Sequence, residues 1–305
     1  MNGNFNMSST QQHCVILSMD CLDDFEVYDH LIDEPLQKLG WKTHTISWKA
    51  ENVDWNKYDA VVIRSPWDYQ DHADTFLKVL SNIEASSAHL ENSLSIIEWN
   101  IDKIYLKALE EIRINIVPTL WENEISVASV NRFFNYFNTD QLVIKPRISA
   151  NADNTFWLTK NNIKNHLAEL TAIFKNESFM VQPFMESVIN EGEFSLFYFN
   201  GTLSHTILKT PKNNDFRVQE EHGGRLTTVE PEAELLTQAE NTLAAIAKIH
   251  NMPLYARLDY VRDQTSFALM EAELIEPSLY FNMDPESPTR FAQAFVDKMN
   301  THNAS

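Results

Sequence analysis

Short apolar runs alternate with amphipathic stretches through roughly the first 90 residues, and the runs end in polar groups. CVILSM (residues 14–19) is followed by Asp20, Asp23 and Asp24. Residues 28–39 carry Leu31, Ile32, Leu36 and Leu39 along one side, then stop at Gly40, a residue suited to the left-handed turn that ends a helix. WKTHTISW (41–48) alternates as a strand does. YDAVVIRSPWDY (58–69) has a VVI centre and polar groups at its carboxyl end, and residues 71–83 place Phe76, Leu80 and Ile83 in helical register. Such alternation leads to a parallel sheet covered by helices.

The pattern continues with SLSIIEW (93–99), which reads as a strand, and a helix over 102–112. INIVPTLW reads as a strand at a sheet edge, because its proline cannot donate to a ladder. A helix over 126–137, strands in QLVIKPR (141–147) and NTFWLT (154–159), a helix over 161–175 and a strand in FMVQPF (179–184) follow. The style then changes. EFSLFYFNGTLSHTILKTP (193–211) holds Asn200-Gly201 between two strand-like runs, a strong hairpin signal. DFRVQ reads as a strand, Gly223-Gly224 as a turn and 233–250 as a long helix. YARLDYV and FALMEAELI form a second antiparallel pair. The class is α/β with α+β lobes: a tail over 1–12, an α/β domain over 13–95, and lobes over 96–185 and 186–305, with a linker near 86–93.

With 305 residues, 44% of them hydrophobic, the chain is large enough for two or three packed lobes. Its net charge of −19 argues against nucleic acid and anionic membranes as partners, but not against a nucleotide in a local basic pocket. Cys14 and Cys21 give neither a disulfide framework nor a zinc spacing, and reduced thiols point to the cytoplasm. No apolar run approaches the roughly 20 residues of a membrane helix.

The sharpest chemical signal lies near the C-terminus. Glu271 and Glu273 are two apart on a strand and share a face. A three-residue loop over 264–266 would set Asp263 opposite Phe267 and Asp259 opposite Glu271. Directly opposed side chains lie ~5 Å apart, so the like charges need neutralising. Three carboxylates on an apolar hairpin suit a hard cation such as magnesium. The competing reading is a solvated face neutralised by Arg257.

Lys145 follows the strand core LVI and precedes Pro146, the position of a phosphate contact at the mouth of a cleft. Lys103 opens a helix, where its charge opposes the macrodipole unless an anion sits nearby. Lys145 also fits a lysine snorkelling at a sheet edge. The small polar loop over 148–155 offers backbone N–H groups to phosphates, although it matches no glycine-rich phosphate motif. Lys209 and Arg217 flank one turn and, with Arg257, could form a cationic clamp on a transferring phosphoryl group; surface roles are the alternative. In the first domain, Arg64 could clamp a substrate carboxylate, Trp67 and Tyr69 could wall its pocket, and Asp20 could receive an amine. Arg64 pairing with Asp68 or Asp71 is the competing reading.

In order, NIDKIYLKAL, VIKPRISA, MVQPF, EGEFSLFYFNGTLSH, LKTPKNNDFRVQEEHGG, YARLDYV and LMEAELIEP resemble the ATP-grasp superfamily, in the branch of bacterial glutathione synthetase, the RimK-type ligases and the cycloserine-biosynthesis cyclo-ligase. The resemblance runs from about residue 96 to 279. It implies a parallel-sheet pre-ATP-grasp domain followed by two lobes clamping ATP. It implies phosphate contacts from Lys103, Lys145 and Ser149, and an adenine hinge at Gln182, Pro183, Phe184 and Met185. Glu186, Glu191 or Glu193 would hold the ribose, Arg217 would steady the γ-phosphate, and Asp259, Glu271 and Glu273 would bind magnesium. Where the family usually has Glu-x-Asn, this chain has Glu271-Ala-Glu273, and the extra charge bears on the choice between magnesium and manganese. Ser149 and Ala150 stand where glycines are common. The implied activity joins the carboxylate of an amino acid or small peptide to an amine through an acyl-phosphate. An intramolecular cyclo-ligase, a small-molecule kinase and a non-catalytic nucleotide-binding module are the alternatives. Dimers or tetramers are implied by the resemblance alone.

Overall fold

The computed structural model describes residues 11–149, 153–212 and 215–302. The expected tail therefore lies outside the described residues apart from Gln11 and Gln12, and Gln12 already opens the first strand. Residues 150–152 of the expected phosphate loop, Ala150 among them, also lie outside.

Strands β1 (Gln12–Ser18), β2 (Trp41–Ser47), β3 (Ala60–Ser65) and β4 (His89–Glu91) form a parallel sheet in the order β2-β1-β3-β4. β4 occupies the stretch read as a linker. The first expected helix is a 3-10 turn, Asp29–Ile32, running into α1 (Asp33–Lys38), and Gly40 follows with φ +89°. α2 (Ala73–Glu84) buries Phe76, Leu80 and Ile83 as its periodicity requires.

SLSIIEW is not a strand. It lies in α3 (Leu94–Asn100), whose buried Ile96, Ile97 and Asn100 have helical spacing. A run of seven residues is too short for its period to separate helix from strand. α4 (Tyr105–Glu111) follows. INIVPTLW keeps only a bridge from Ile116 to Leu269 before the three-residue β5 (Leu120–Glu122), because Pro118 interrupts the ladder.

α5 (Val127–Phe137) starts at a reciprocal cap between Ser126 and Ser129. β6 (Gln141–Pro146), β7 (Phe156–Thr159), α6 (Ile163–Ile173) and β8 (Phe179–Pro183) complete a lobe whose antiparallel sheet runs β5-β8-β6-β7. This lobe has its own core, built from Val130, Phe133, Phe134, Leu142, Ile144, Leu158, Leu170, Phe174, Phe179 and Val181.

The remainder comprises α7 (Ser187–Asn190), β9 (Glu193–Phe199), β10 (Thr202–Thr210), β11 (Arg225–Thr228), α8 (Ala233–His250), β12 (Tyr255–Asp263), β13 (Ser266–Glu273) and α9 (Ser287–His302). Its antiparallel sheet runs β11-β10-β9-β12-β13. Asn200 and Gly201 turn the β9–β10 hairpin with φ +45° and +85°, as a two-residue mirror-image turn demands. DFRVQ is not a strand: the Asp215 carboxylate accepts the N–H groups of Phe216 and Arg217 at 2.8 and 3.0 Å, folding a turn instead.

The β12–β13 pairing joins Asp259 to Glu271 by a route unlike the expected one. The loop is one residue shorter, with Asp263 opposite Ser266, and a bulge restores the register between Tyr260–Leu269 and Asp259–Glu271. The parallel sheet and the five-stranded sheet contribute to one hydrophobic core, in which Val15, Val61 and Phe76 belong to the same cluster as Leu196, Leu258 and Ala272. Among the described residues no helix is long and apolar enough to cross a membrane.

Candidate active site

One cleft lies where the three sheets meet. β6 and β8 supply Lys145 and Gln182 from one side; β9, β10, β12 and β13 supply Glu193, Lys209, Arg257, Asp259, Glu271 and Glu273 from the other. The turn after β3 contributes Trp67 and Tyr69. The cleft also reaches Lys103, Ser149, Pro183, Phe184, Met185 and Arg217.

Every cleft carboxylate that sits between β-strands is matched to a cation. Lys209, 2% exposed, lies 2.5 Å from Glu193 Oε1 and 3.5 Å from Asp259 Oδ2. Arg257 donates through Nε to both Asp259 oxygens at 3.2 and 3.1 Å, and through Nη2 to Asp259 and to Glu273. Ser195 Oγ donates to Asp259 Oδ1 at 2.5 Å. Lys103 Nζ lies 3.1 Å from Glu271 Oε1 and donates to the Ser149 carbonyl at 2.5 Å. Lys145 makes no ion pair among the described residues.

Burial by itself would raise the Glu271 carboxyl pKa, but the Lys103 and Lys145 ammonium groups outweigh it and hold the pKa below its usual value. Asp259 is lowered in the same way: burial opposes ionisation, and Arg257 and Lys209 overcome it. Glu273 goes the other way. Burial, helped by Asp259 and Glu271 and only partly offset by Arg257, pushes it up to about 8. Burial also lowers the Lys145 pKa, against the pull of Glu271. These opposed shifts mark a site where charges are held close together out of water.

The expected magnesium trio is close in space, but its members are bound to cations. No group of three acidic, histidine or cysteine side chains among the described residues is arranged to hold a metal ion. Glu271 and Glu273 nonetheless both face the cleft, a donor set that suits magnesium, which takes one or two carboxylates and completes its shell with phosphates and water.

Two substrate expectations are overturned. Arg64 is wholly buried, donating to Asp29 at 3.1 Å and to the Pro277 carbonyl at 2.6 Å, and does not line the cleft. Neither Asp68 nor Asp71 is its partner; Asp68 takes Lys49 at 2.5 Å. Asp20 is exposed and does not line the cleft. Trp67 does line it, with its indole N–H on the Glu276 carbonyl at 2.9 Å. Of the three ribose candidates only Glu193 faces the cleft; Glu191 is taken by Arg262 at 2.7 Å and Glu186 is exposed. Phe25, Glu276 and Tyr280 also line the cleft and were not anticipated. For Glu276 a signal existed: it stands after a strand and before a proline, as Lys145 does.

Residues 14–92 match the family described as "D-cycloserine synthetase DcsG, N-terminal domain". The cycloserine biosynthesis protein DcsG of Streptomyces lavendulae is 27% identical over 288 residues, 87% of this chain and 92% of that protein. The crystal structure of D-cycloserine synthetase DcsG superposes with a TM-score of 0.83 at 24% identity, over 94% of this chain and 99% of that one. A D-alanine–D-alanine ligase from Bacillus anthracis gives 0.70 at 13% identity, over 95% and 98% of the two chains. The ATP-grasp ligase PsnB gives 0.66 at 13% identity, over 94% and 99%. The chain therefore has the fold of the ATP-grasp ligases, and its sequence is similar to that of the cycloserine biosynthesis protein over most of both chains.

Proposed function

We infer that this chain, having the ATP-grasp fold, uses ATP and magnesium to join a carboxylate of an amino acid or small peptide to an amine through an acyl-phosphate. The observation that carries this reading is the cleft in which Lys103, Lys145, Lys209 and Arg257 face Asp259, Glu271 and Glu273. Such alternation of charge suits a polyphosphate with its metal.

In this reading adenine lies along the strand end from Gln182 to Met185. The Phe184 N–H is committed to the Gln141 carbonyl at 3.0 Å, which leaves the Met185 N–H, hydrogen-bonded to no described residue, as the hinge donor. Lys103 and Lys145 hold the phosphates. Glu271 and Glu273 would hold magnesium, which would supply positive charge to neutralise the phosphates during transfer. Arg217 must leave Asp215, now 2.9 Å away, to reach the γ-phosphate. A carboxylate oxygen of the acceptor attacks the γ-phosphorus and ADP departs. The amine then attacks the acyl carbon, loses a proton and expels phosphate. The residues of the site mainly position the reactants and keep water from the acyl-phosphate.

The test is ADP release with ATP, magnesium and pairs of amino acids. Release that needs both a carboxylate and an amine supports the ligase, and release with neither, or none at all, defeats it. The similarity to the cycloserine protein favours a second reading, an intramolecular cyclo-ligase. That predicts release with one substrate and a product lighter by one water.

A further inference from the structure

The cleft end beyond Glu273 differs in chemistry from its phosphate end. The segment Glu276–Pro277 is bonded to the region after β3: Trp67 donates to the Glu276 carbonyl at 2.9 Å and Arg64 to the Pro277 carbonyl at 2.6 Å. Tyr69, 4% exposed, hydrogen-bonds the Glu276 carboxyl. Phe25 packs on Trp67 with ring centroids 5.2 Å apart, and both rings line the cleft.

No cation among the described residues is committed to Glu276. Those that reach it are held elsewhere, Lys103 by Glu271 and Arg257 by Asp259 and Glu273. Arg64, the guanidinium beside this wall, is wholly buried and donates to Asp29 and to the Pro277 carbonyl. A carboxyl group in a cleft wall that Phe25, Trp67 and Tyr69 also line, with no cation of its own, complements a positive ligand group. Burial pushes its pKa up to about 7, in spite of the Tyr69 hydrogen bond and Lys103, and an arriving cation would reverse that shift.

We propose that Glu276 is a specificity-determining residue that receives the ammonium group of the carboxyl-bearing substrate, so that the acceptor is a free amino acid or a peptide with a nearby free amine. This rests on the ligase reading and narrows its substrate class. No bond to Glu276 is made or broken: its carboxylate accepts hydrogen bonds while the substrate's own carboxylate, at the other end, attacks the γ-phosphorus.

The experiment traps the acyl-phosphate with hydroxylamine, whose nitrogen attacks the acyl carbon and releases phosphate, so no natural nucleophile is needed. L- and D-α-amino acids are compared with their N-acetyl derivatives in the wild-type chain and in Glu276→Gln and Glu276→Asp. The wild type should prefer the free amine. Glu276→Gln should cut kcat/KM for it by about 30-fold or more, through KM, with the N-acetyl rate and the KM for ATP unchanged. Glu276→Asp should recover part of the preference. An ATP-induced thermal shift like that of the wild type verifies that each variant is folded. A wild-type chain that forms hydroxamate without preferring free amines, or a Glu276→Gln chain that keeps the preference, overturns the proposal and leaves the ligase reading standing. No hydroxamate from any carboxylate overturns both.

Discussion

Lys209 and Lys145 carry the same charge into one cleft but stand in opposite relations to the fold. Lys209 compensates Glu193 and Asp259, so Lys209→Met leaves two buried carboxylates exposed to each other and should lower unfolding free energy by about 3 kcal/mol in urea titrations. Lys145 makes no ion pair among the described residues. Lys145→Met should leave the urea midpoint nearly unchanged while kcat/KM for ATP falls about 100-fold. His205 offers a test on the acid side. Its ring stacks on Phe197 at 4.3 Å, and burial pushes it from 6.5 down to about 4. The folded value lies below the unfolded one, so its contribution is full above pH 6.5 and is lost as pH falls toward 4. His205→Gln should therefore flatten the loss of stability between pH 6.5 and 4, a difference of roughly 3 kcal/mol at most. At this scale the cleft lysines were legible because a lysine closing an apolar strand is a conflict that needs a reason. Arg64 was misread because its partner, Asp29, lies 35 residues earlier and is brought beside it only by tertiary packing.

Among the elements, β13 bears the most on the site and depends on the helices that cover its free edge. Asn100 of α3 donates to the Ala272 carbonyl at 2.8 Å and accepts the Leu274 N–H at 3.0 Å, and Tyr105 of α4 accepts the Ala272 N–H at 2.8 Å. Those bonds flank Glu271 and Glu273. Asn100→Leu orphans two buried backbone groups and should cost about 2–3 kcal/mol. It should also weaken magnesium dependence, read as a higher magnesium concentration for half-maximal ADP release. The β9–β10 hairpin was visible in Asn200-Gly201 because its turn demands those residues. The helix α3 was not visible, since its hydrophobic run is shorter than two turns. The β12–β13 bulge was equally hidden: inserting one residue into a ladder leaves no compositional mark, and the pairing of Asp259 with Glu271 was anticipated from a loop length that does not occur.

At the level of the whole molecule, the β5–β8 lobe has a core of its own, whereas the other two sheets are joined through one. A lobe with a core of its own, touching the shared core through Met180 and Trp121, can shift largely as a body. Hydrogen exchange with and without a nonhydrolysable ATP analogue and magnesium should therefore slow at Met185 and in the described ends of the loop after β6, while α5 and α6 stay as protected as before. Slowing that spread evenly through α5 and α6 would mean the lobe is stiffened internally instead. The order strand, helix, strand announced the parallel sheet, but nothing in the order of residues announced that it would merge its core with strands about 100 residues and more away.

The pairing of Lys103, Lys209 and Arg257 with carboxylates makes the cleft comparable to an ion exchanger loaded with its own counterions. On the proposed reading, an incoming triphosphate would displace tethered anions from these sites in place of dissolved ones. Few salt ions are then released into solvent when ATP binds, and log Kd should vary only weakly with log salt concentration, far less than three cationic contacts to phosphate would otherwise require.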